Sequence, residues 1–285
     1  MQSQKKLLTI IMPVFNAEKY IEEVLQNIAG QSFGDYELLI MDSMSTDNTK
    51  AIIQAKQLAD ERIILVSEKD NGIYDAMNKG IQLARGEWLY FIGSDDTFFD
   101  AEVLQTFSLH LIAGNDLVYG DVLWIPDHVL ESGECTPQHL LHRNINHQRI
   151  FYRKAVFLQY GAYDLQYTVA SDHELNIRFF CAKTVTKKYV PLTVARYHSG
   201  GFSANKTDKV FWNNWKQIFQ QNFSTYMPNR MMYEKLGWYC RYNIDQHNYR
   251  IAFVLFWDVL LHTFNPGFAL LTLQQLVKSF RSSPN

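Results

Sequence analysis

Asp95 and Asp96 stand side by side where a hydrophobic run, Trp88-Leu-Tyr-Phe-Ile, comes to an end. Packing gives no reason to set two like charges there, because they repel each other and both need water or a cation. At the carboxyl edge of a parallel sheet, where open α/β folds take their ligands, they would form a hard-oxygen site for Mg²⁺ or Mn²⁺. A cation so held usually holds phosphates as well. Adjacent aspartates also cap ordinary turns, so the surroundings must decide. Three other groups invite the same question. Asp42 closes a second apolar run. Asp75, Asn78 and Lys79 fall at i, i+3 and i+4 and so share one helix face. Ser171-Asp172-His173-Glu174 opens a stretch in which Leu175 and Phe179 face inward; Ser171 with Glu174 three residues on reads as a capping box, and the acidic first turn suits the helix dipole.

The elements that would position these groups alternate. Leu7 to Val14 is an apolar run closed by Pro13, as expected of a buried parallel strand. Asn16 then caps a helix over residues 17–29, with Tyr20, Ile21, Val24, Leu25 and Ile28 on one face. Further strands are expected over 36–41, 63–67 and 88–92, with helices from Thr49 to Leu58 and after Gly72, the latter burying Tyr74, Met77 and Ile81. Strands alternating with helices imply a mostly parallel sheet with right-handed crossovers. Asn16, Asp42, Asp70 and Asp95 then all fall at strand ends, on the ligand-binding edge.

Composition narrows the partners. The chain of 285 residues is 47% hydrophobic and carries a formal charge of −2. That is enough apolar content for a large core, and there is no basic field for nucleic acid. Three cysteines, at 135, 181 and 240, form no CxxC pair, which argues against a zinc cage or disulfide framework. No apolar signal core follows the first residues, so a reduced, cytoplasmic setting is expected.

Three segments carry a resemblance: Ile-Ile-Met-Pro-Val-Phe-Asn-Ala-Glu-Lys-Tyr-Ile from Ile10, Leu-Leu-Ile-Met-Asp-Ser-Met-Ser-Thr-Asp-Asn-Thr from Leu38, and Ser-Glu-Lys-Asp-Asn-Gly-Ile-Tyr-Asp-Ala-Met-Asn-Lys-Gly-Ile from Ser67. With Gly86 to Asp96 in the matching order, they resemble family 2 glycosyltransferases of the GT-A fold, in particular bacterial enzymes that build O-antigen, capsule and exopolysaccharide units. The likeness runs from about residue 7 to 202, and ordered motifs are more specific than any one alone. It implies a metal-dependent, inverting transfer of sugar from a nucleotide-sugar, UDP-linked by expectation, to a glycan or polyprenyl-linked acceptor. Pro13, Val14 and Phe15, with Asn16, would wall the nucleotide base, and Asp42 would accept the base's N–H. Asp75 and Asn78 would touch the donor sugar or loops near it. Gly-Ser-Asp-Asp would be the DxD motif with Ser94 at its first position, leaving Asp96 to hold Mn²⁺ or Mg²⁺ and Asp95 to face the nucleotide. Asp172 would be the base, although Ser171 replaces the acidic residue usual before it. His147 and Gln148 would line the acceptor site. His198 would complete the metal or phosphate shell, in a loop that Gly200 and Gly201 let close over the donor.

Residues 205–285 lie outside the likeness. They hold four tryptophans and an apolar run from Ile251 that Asp258 interrupts, too short to span a bilayer; a second apolar segment follows Asn265-Pro-Gly. The expected organisation is a catalytic α/β domain over 1–204, its nucleotide-binding half about 1–100 and its acceptor half about 101–204, then a helical, aromatic-rich extension over 205–285. Peripheral membrane contact at the inner face of the cell membrane, with flanking Arg and Lys at head-group level, packing on the catalytic domain and a homodimer seam all remain open for that extension. Two other functional readings also stay open: a sugar nucleotidyltransferase, which should show a Gly-rich signature where Pro13-Val-Phe-Asn stands, and an inactive nucleotide-sugar binding module.

Overall fold

The structure, a computed structural model, describes residues 6–198 and 206–282. Backbone contacts divide the chain into two units at Thr207/Asp208. The first unit opens with four β-strands separated by helices: β1 (Leu8–Val14), α1 (Ile21–Ala29), β2 (Tyr36–Asp42), α2 (Thr49–Gln57), β3 (Ile63–Ser67), α3 (Ile73–Leu83) and β4 (Trp88–Phe91). Short β5 (Thr97–Phe98) and α4 (Val103–Ser108) lead to β6 (Leu117–Ile125), β7 (Val129–Glu131) and α5 (Pro137–His142). A 3-10 turn at His147–Arg149 then precedes β8 (Ile150–Arg153), α6 (Lys154–Tyr160), α7 (Ser171–Cys181) and β9 (Lys187–His198).

β1 and β2 are buried along their whole length, which explains their largely apolar sequences: each lies between two parallel neighbours with helices over both faces. The register aligns Val14 with Asp42 and Asp42 with Ser67, so the carboxyl ends of β1, β2 and β3 are level. α3 packs close over β1, and a Cβ at Gly80 would come within 2.6 Å of Ile11 Cγ2.

Among the described residues the sheet has nine strands, in the order β3-β2-β1-β4-β8-β6-β9-β5 with β7 on β6. Parallel pairing holds from β1 to β4. Beyond it the sheet is mixed, because β8 lies antiparallel to both β4 and β6, while β6 and β9 are parallel. β8 follows the 3-10 turn and returns against the hydrophobic β4, stacking Phe151 on Tyr90 at 4.6 Å. The helices differ from expectation at two starts. α1 begins at Ile21 with no side-chain cap, because the Asn16 Oδ1 accepts from the Thr46 amide instead, at 2.9 Å. Asn16 takes a left-handed φ of 50°, a conformation asparagine tolerates. α7 has no capping box either: the Ser171 hydroxyl donates to the Asp164 carbonyl at 2.9 Å, and Glu174 pairs with Arg178 at 2.7 Å.

The second unit is helical: α8 (Lys209–Asn213), α9 (Trp215–Asn222), α10 (Asn229–Asp245), α11 (Tyr249–Thr263) and α12 (Pro266–Ser282). Asp208 caps α8 by accepting from the Val210 and Phe211 amides, each at 3.1 Å. Its core is aromatic, with Trp212 stacked on Tyr239 at 5.3 Å and Trp215 fully buried.

Candidate active site

The end of β4, the start of α3, the 3-10 turn, the start of α7 and the end of β9 converge on a cavity of 960 Å³ in the first unit. Pro13, Asp95, Asp96, His147, Gln148, Asp172 and His198 all line it. Residues separated by up to 185 positions in sequence thus meet at the edge where the motifs end.

Asp96 is buried, 2% exposed. Its Oδ1 accepts from the His198 amide at 2.7 Å, and its Oδ2 accepts from the Gln148 side-chain amide. Gly93 makes room for it, since a Cβ there would collide with Asp96 Oδ2. The His198 ring comes within 3.7 Å of Asp96 Oδ1, an ion-pair contact rather than a hydrogen bond; the Asp96 carboxylate beside it holds the imidazole above its ordinary pKa. Burial, reinforced by the charge of Asp96, raises the pKa of the Asp95 carboxyl. A carboxyl half withdrawn from water and crowded by a second negative charge is a place where a cation relieves strain.

The donor atoms fit a divalent cation in part. Among the described residues His198 Nδ1 and Gln148 Oε1 are buried without a hydrogen-bond partner, beside the two carboxylates. Among the described residues no three His, Cys, Asp and Glu side chains converge as a finished cage. That suits an ion whose remaining ligands are diphosphate oxygens and water.

Asp172 lies in different surroundings. Its Oδ1 accepts from the Tyr74 hydroxyl at 3.1 Å and from the His173 amide at 2.8 Å. Its Oδ2 stands 3.7 Å from His147 Nδ1. The Tyr74 hydroxyl is also 2.9 Å from the Val169 carbonyl, so one phenolic proton has two acceptors. Burial and the charge of Asp172 push the Tyr74 phenol well above its ordinary pKa, and it remains a donor. Burial, with Asp96 and Asp172 nearby, pushes the Tyr197 phenol, which also lines the cavity, up to about 12.

The other nucleotide-site candidates lie off the cavity lining. Val14 is buried in the core, while Phe15 is 60% exposed. Asp42 is buried at the end of β2, where its carboxylate accepts from the Ser45 amide at 3.1 Å and the Ser67 hydroxyl at 2.6 Å. Asn16 fastens the β1–α1 turn to the turn after β2. Asp75 accepts from the Asn71 amide at 2.9 Å, and Lys79 reaches Glu68 at 3.0 Å. Asn78 bonds both the amide and the carbonyl of Tyr163, at 3.0 and 2.8 Å. Gln148, read as an acceptor contact, is 1% exposed and directs its amide to Asp96. Gly200 and Gly201 lie outside the described residues.

Sequence reading missed Tyr74, which its spacing marks as a core residue, and the cavity residues Trp124, Arg143, Tyr197 and Lys206. No local signal identifies them. Arg149 was also missed: fully buried, it bonds Glu131 at 3.0 Å and the carbonyls of Gly120 and Gly133, holding the 3-10 turn against β6 and β7.

Comparisons with known proteins bear on the family and the fold. The family described as Glycosyl transferase family 2 matches residues 9–164. A PGL/p-HBAD biosynthesis glycosyltransferase of Mycobacterium bovis and Mycobacterium tuberculosis is 39% identical over 211 residues, covering 72% of this chain and 82% of that protein. The Escherichia coli UDP-Glc:alpha-D-GlcNAc-diphosphoundecaprenol beta-1,3-glucosyltransferase WfgD is 28% identical over 140 residues, 49% of this chain and 54% of its own. Among solved structures, S. aureus TarS 1-349 in complex with UDP-GlcNAc superposes with a TM-score of 0.71 at 15% identity, over 96% of this chain and 89% of that one. That likeness shows a GT-A fold. The nucleotidyltransferase alternative falls away, for the chain belongs to glycosyl transferase family 2 and is a glycosyltransferase.

Proposed function

We propose that the enzyme transfers a sugar, with inversion, from a UDP-sugar to a hydroxyl of a glycan or lipid-linked acceptor during surface polysaccharide assembly. The observation that carries this reading is the placement of Asp96 and Asp172 on one cavity in contrasting environments. Asp172 takes the proton of the acceptor hydroxyl as that oxygen bonds to C1 of the sugar, and the bond from C1 to the diphosphate oxygen breaks on the opposite face. The diphosphate leaves with the electron pair, and the anomeric centre inverts. Tyr74 supports both ends of this proton transfer: it donates to the ionised carboxylate, and it can turn its proton to the Val169 carbonyl once Asp172 is protonated.

Asp96, with Asp95 and His198 beside it, would hold Mn²⁺ or Mg²⁺, and Gln148 would keep the Asp96 carboxylate oriented. A cation bound there supplies positive charge for the donor diphosphate. Pro13 borders the donor side, and His147 lies where an acceptor hydroxyl approaching Asp172 would pass. Asp42, Asn16, Asp75 and Asn78 would serve the donor indirectly, by fixing the loops around it.

The names of the similar proteins support the substrate classes. WfgD is named for a UDP-glucose donor, a diphosphoundecaprenol-linked acceptor and a β-linked product, which is the outcome of inverting an α-configured donor. TarS was solved with UDP-GlcNAc. The test is a thermal-shift screen of UDP-, GDP- and dTDP-sugars with and without Mn²⁺, followed by donor hydrolysis and acceptor transfer with the best ligand. Metal-dependent stabilisation by UDP-sugars and a product of inverted anomeric configuration are expected. A retained configuration would contradict the mechanism, and stabilisation without turnover would favour an inactive binding module.

A further inference from the structure

The second unit ends in a helical hairpin whose outer face is apolar. α11 and α12 are joined by Phe264 and Asn265 and run antiparallel: the Tyr249 hydroxyl at the start of α11 lies 3.0 Å from the Ser279 hydroxyl near the end of α12. The inward faces pack, with Phe256 on Phe268 at 5.8 Å and Ala252 and Val259 buried. The outward faces carry Phe253, Trp257 and Leu261 on α11, and Leu270, Leu273 and Val277 on α12, each about half exposed or more. Their spacings, i, i+4, i+8 and i, i+3, i+7, make each set one continuous stripe. Phe264, at the tip of the hairpin, is 82% exposed. Large apolar side chains gathered in this way mark an interaction surface.

Charge indicates what covers it. α12 contains no acidic residue, and the single acidic residue of α11, Asp258, is neutralised by Lys216 of α9 at 2.5 Å. Arg250 and Lys278 are both exposed. The contact between Tyr249 and Ser279 places them at one end of the hairpin, opposite Phe264. The exposed Asp245 of α10 is bonded to Gln275 of α12 at 2.5 Å, and the two hairpin helices of a second copy would bring no unpaired carboxylate to the two cations, whereas the phosphates of anionic lipids would meet them. Among the described residues no helix is long and apolar enough to cross a membrane. We infer that the α11–α12 hairpin is an interfacial anchor for an anionic bilayer: its stripes and Phe264 lie among the acyl chains, with Arg250 and Lys278 at the level of the phosphates. The inference rests on the second unit alone and is independent of the catalytic reading.

Vesicle flotation of the full chain tests it, with phosphatidylcholine vesicles containing about a quarter phosphatidylglycerol, and with pure phosphatidylcholine, in low salt. The wild type is expected to float with the anionic vesicles and far less with the neutral ones. Replacing Arg250 or Lys278 by Ser should weaken binding about fivefold each, and Phe264→Asp more than tenfold, with melting curves matching wild type. If Phe264→Asp does not fold, Leu270→Glu on α12 makes the same test. Failure of the wild type to float would overturn the proposal, as would equal affinity for neutral vesicles or binding undiminished in the apolar variants. A dimer in sedimentation that Phe264→Asp dissociates, with no vesicle binding, would assign the face to a second copy and overturn it as well.

Discussion

Asp96 and Asp172 border the same cavity, yet their surroundings are opposite. Asp96 is almost sealed, its two oxygens gripped by the His198 amide and the Gln148 side chain. Asp172 keeps 19% of its side-chain surface open, and beside it lie Tyr74 and a histidine ring. A carboxylate held rigidly by donors is fitted to bind a fixed positive charge. One with solvent access and a phenol able to reverse its hydrogen bond is fitted to receive a proton.

The sharpest way to break this contrast is Asp96→Asn. It removes the sealed charge and should lower transfer at least about 10³-fold, together with Mn²⁺-dependent nucleotide binding measured by calorimetry; intact metal-dependent binding would move the cation elsewhere. Gln148→Ala leaves the carboxylate but frees its rotamer, and a loss of about 10- to 100-fold in apparent Mn²⁺ affinity is expected. If instead the KM for acceptor rises with metal affinity unchanged, Gln148 belongs to the acceptor site. On the other side of the cavity, Tyr74→Phe should lower kcat about tenfold with little change in donor KM. An unchanged kcat would make Tyr74 a packing residue only.

The smallest effect concerns stability. A carboxyl whose folded pKa is raised binds its proton more tightly in the folded state, so its stabilising contribution is present at low pH and fades as pH rises through the folded value. At neutral pH the ionised Asp95, crowded by Asp96, therefore destabilises the metal-free protein. Asp95→Asn should raise its Tm by about 2 °C at pH 7 and have less effect at pH 4, while impairing transfer. A lowered Tm would show that the Asp95 charge is already compensated.

The strands of this sheet edge and the charges that close them were legible because their signals are local. Largely apolar runs ending in Asp42 or in Gly-Ser-Asp-Asp announce buried strands and their carboxyl edge, and α3 and α7 follow from periodicity. What sequence could not show are pairings that only the tertiary fold creates: Gln148 with Asp96, Asn78 with Tyr163, Tyr74 with Asp172. Tyr74 illustrates why. Its spacing correctly marks a buried face, but burial of the ring does not reveal that its hydroxyl emerges at the start of another helix. Likewise β5 and β7 are too short to carry an alternating pattern, and the antiparallel entry of β8 beside β4 depends on the path of the long connection before it. Asn16 and Ser171 have the residue types of helix caps, but their side chains bond to neighbouring loops instead.

The central claim is that Asp172 handles the proton and takes no part in holding the donor. Its most direct test is Asp172→Asn, with UDP-sugar affinity in the presence of Mn²⁺ and the rate of transfer to acceptor measured on the same preparation. The account predicts wild-type affinity and a transfer rate lowered by about 10³-fold or more. Normal turnover, or a matching loss of donor affinity, would contradict it.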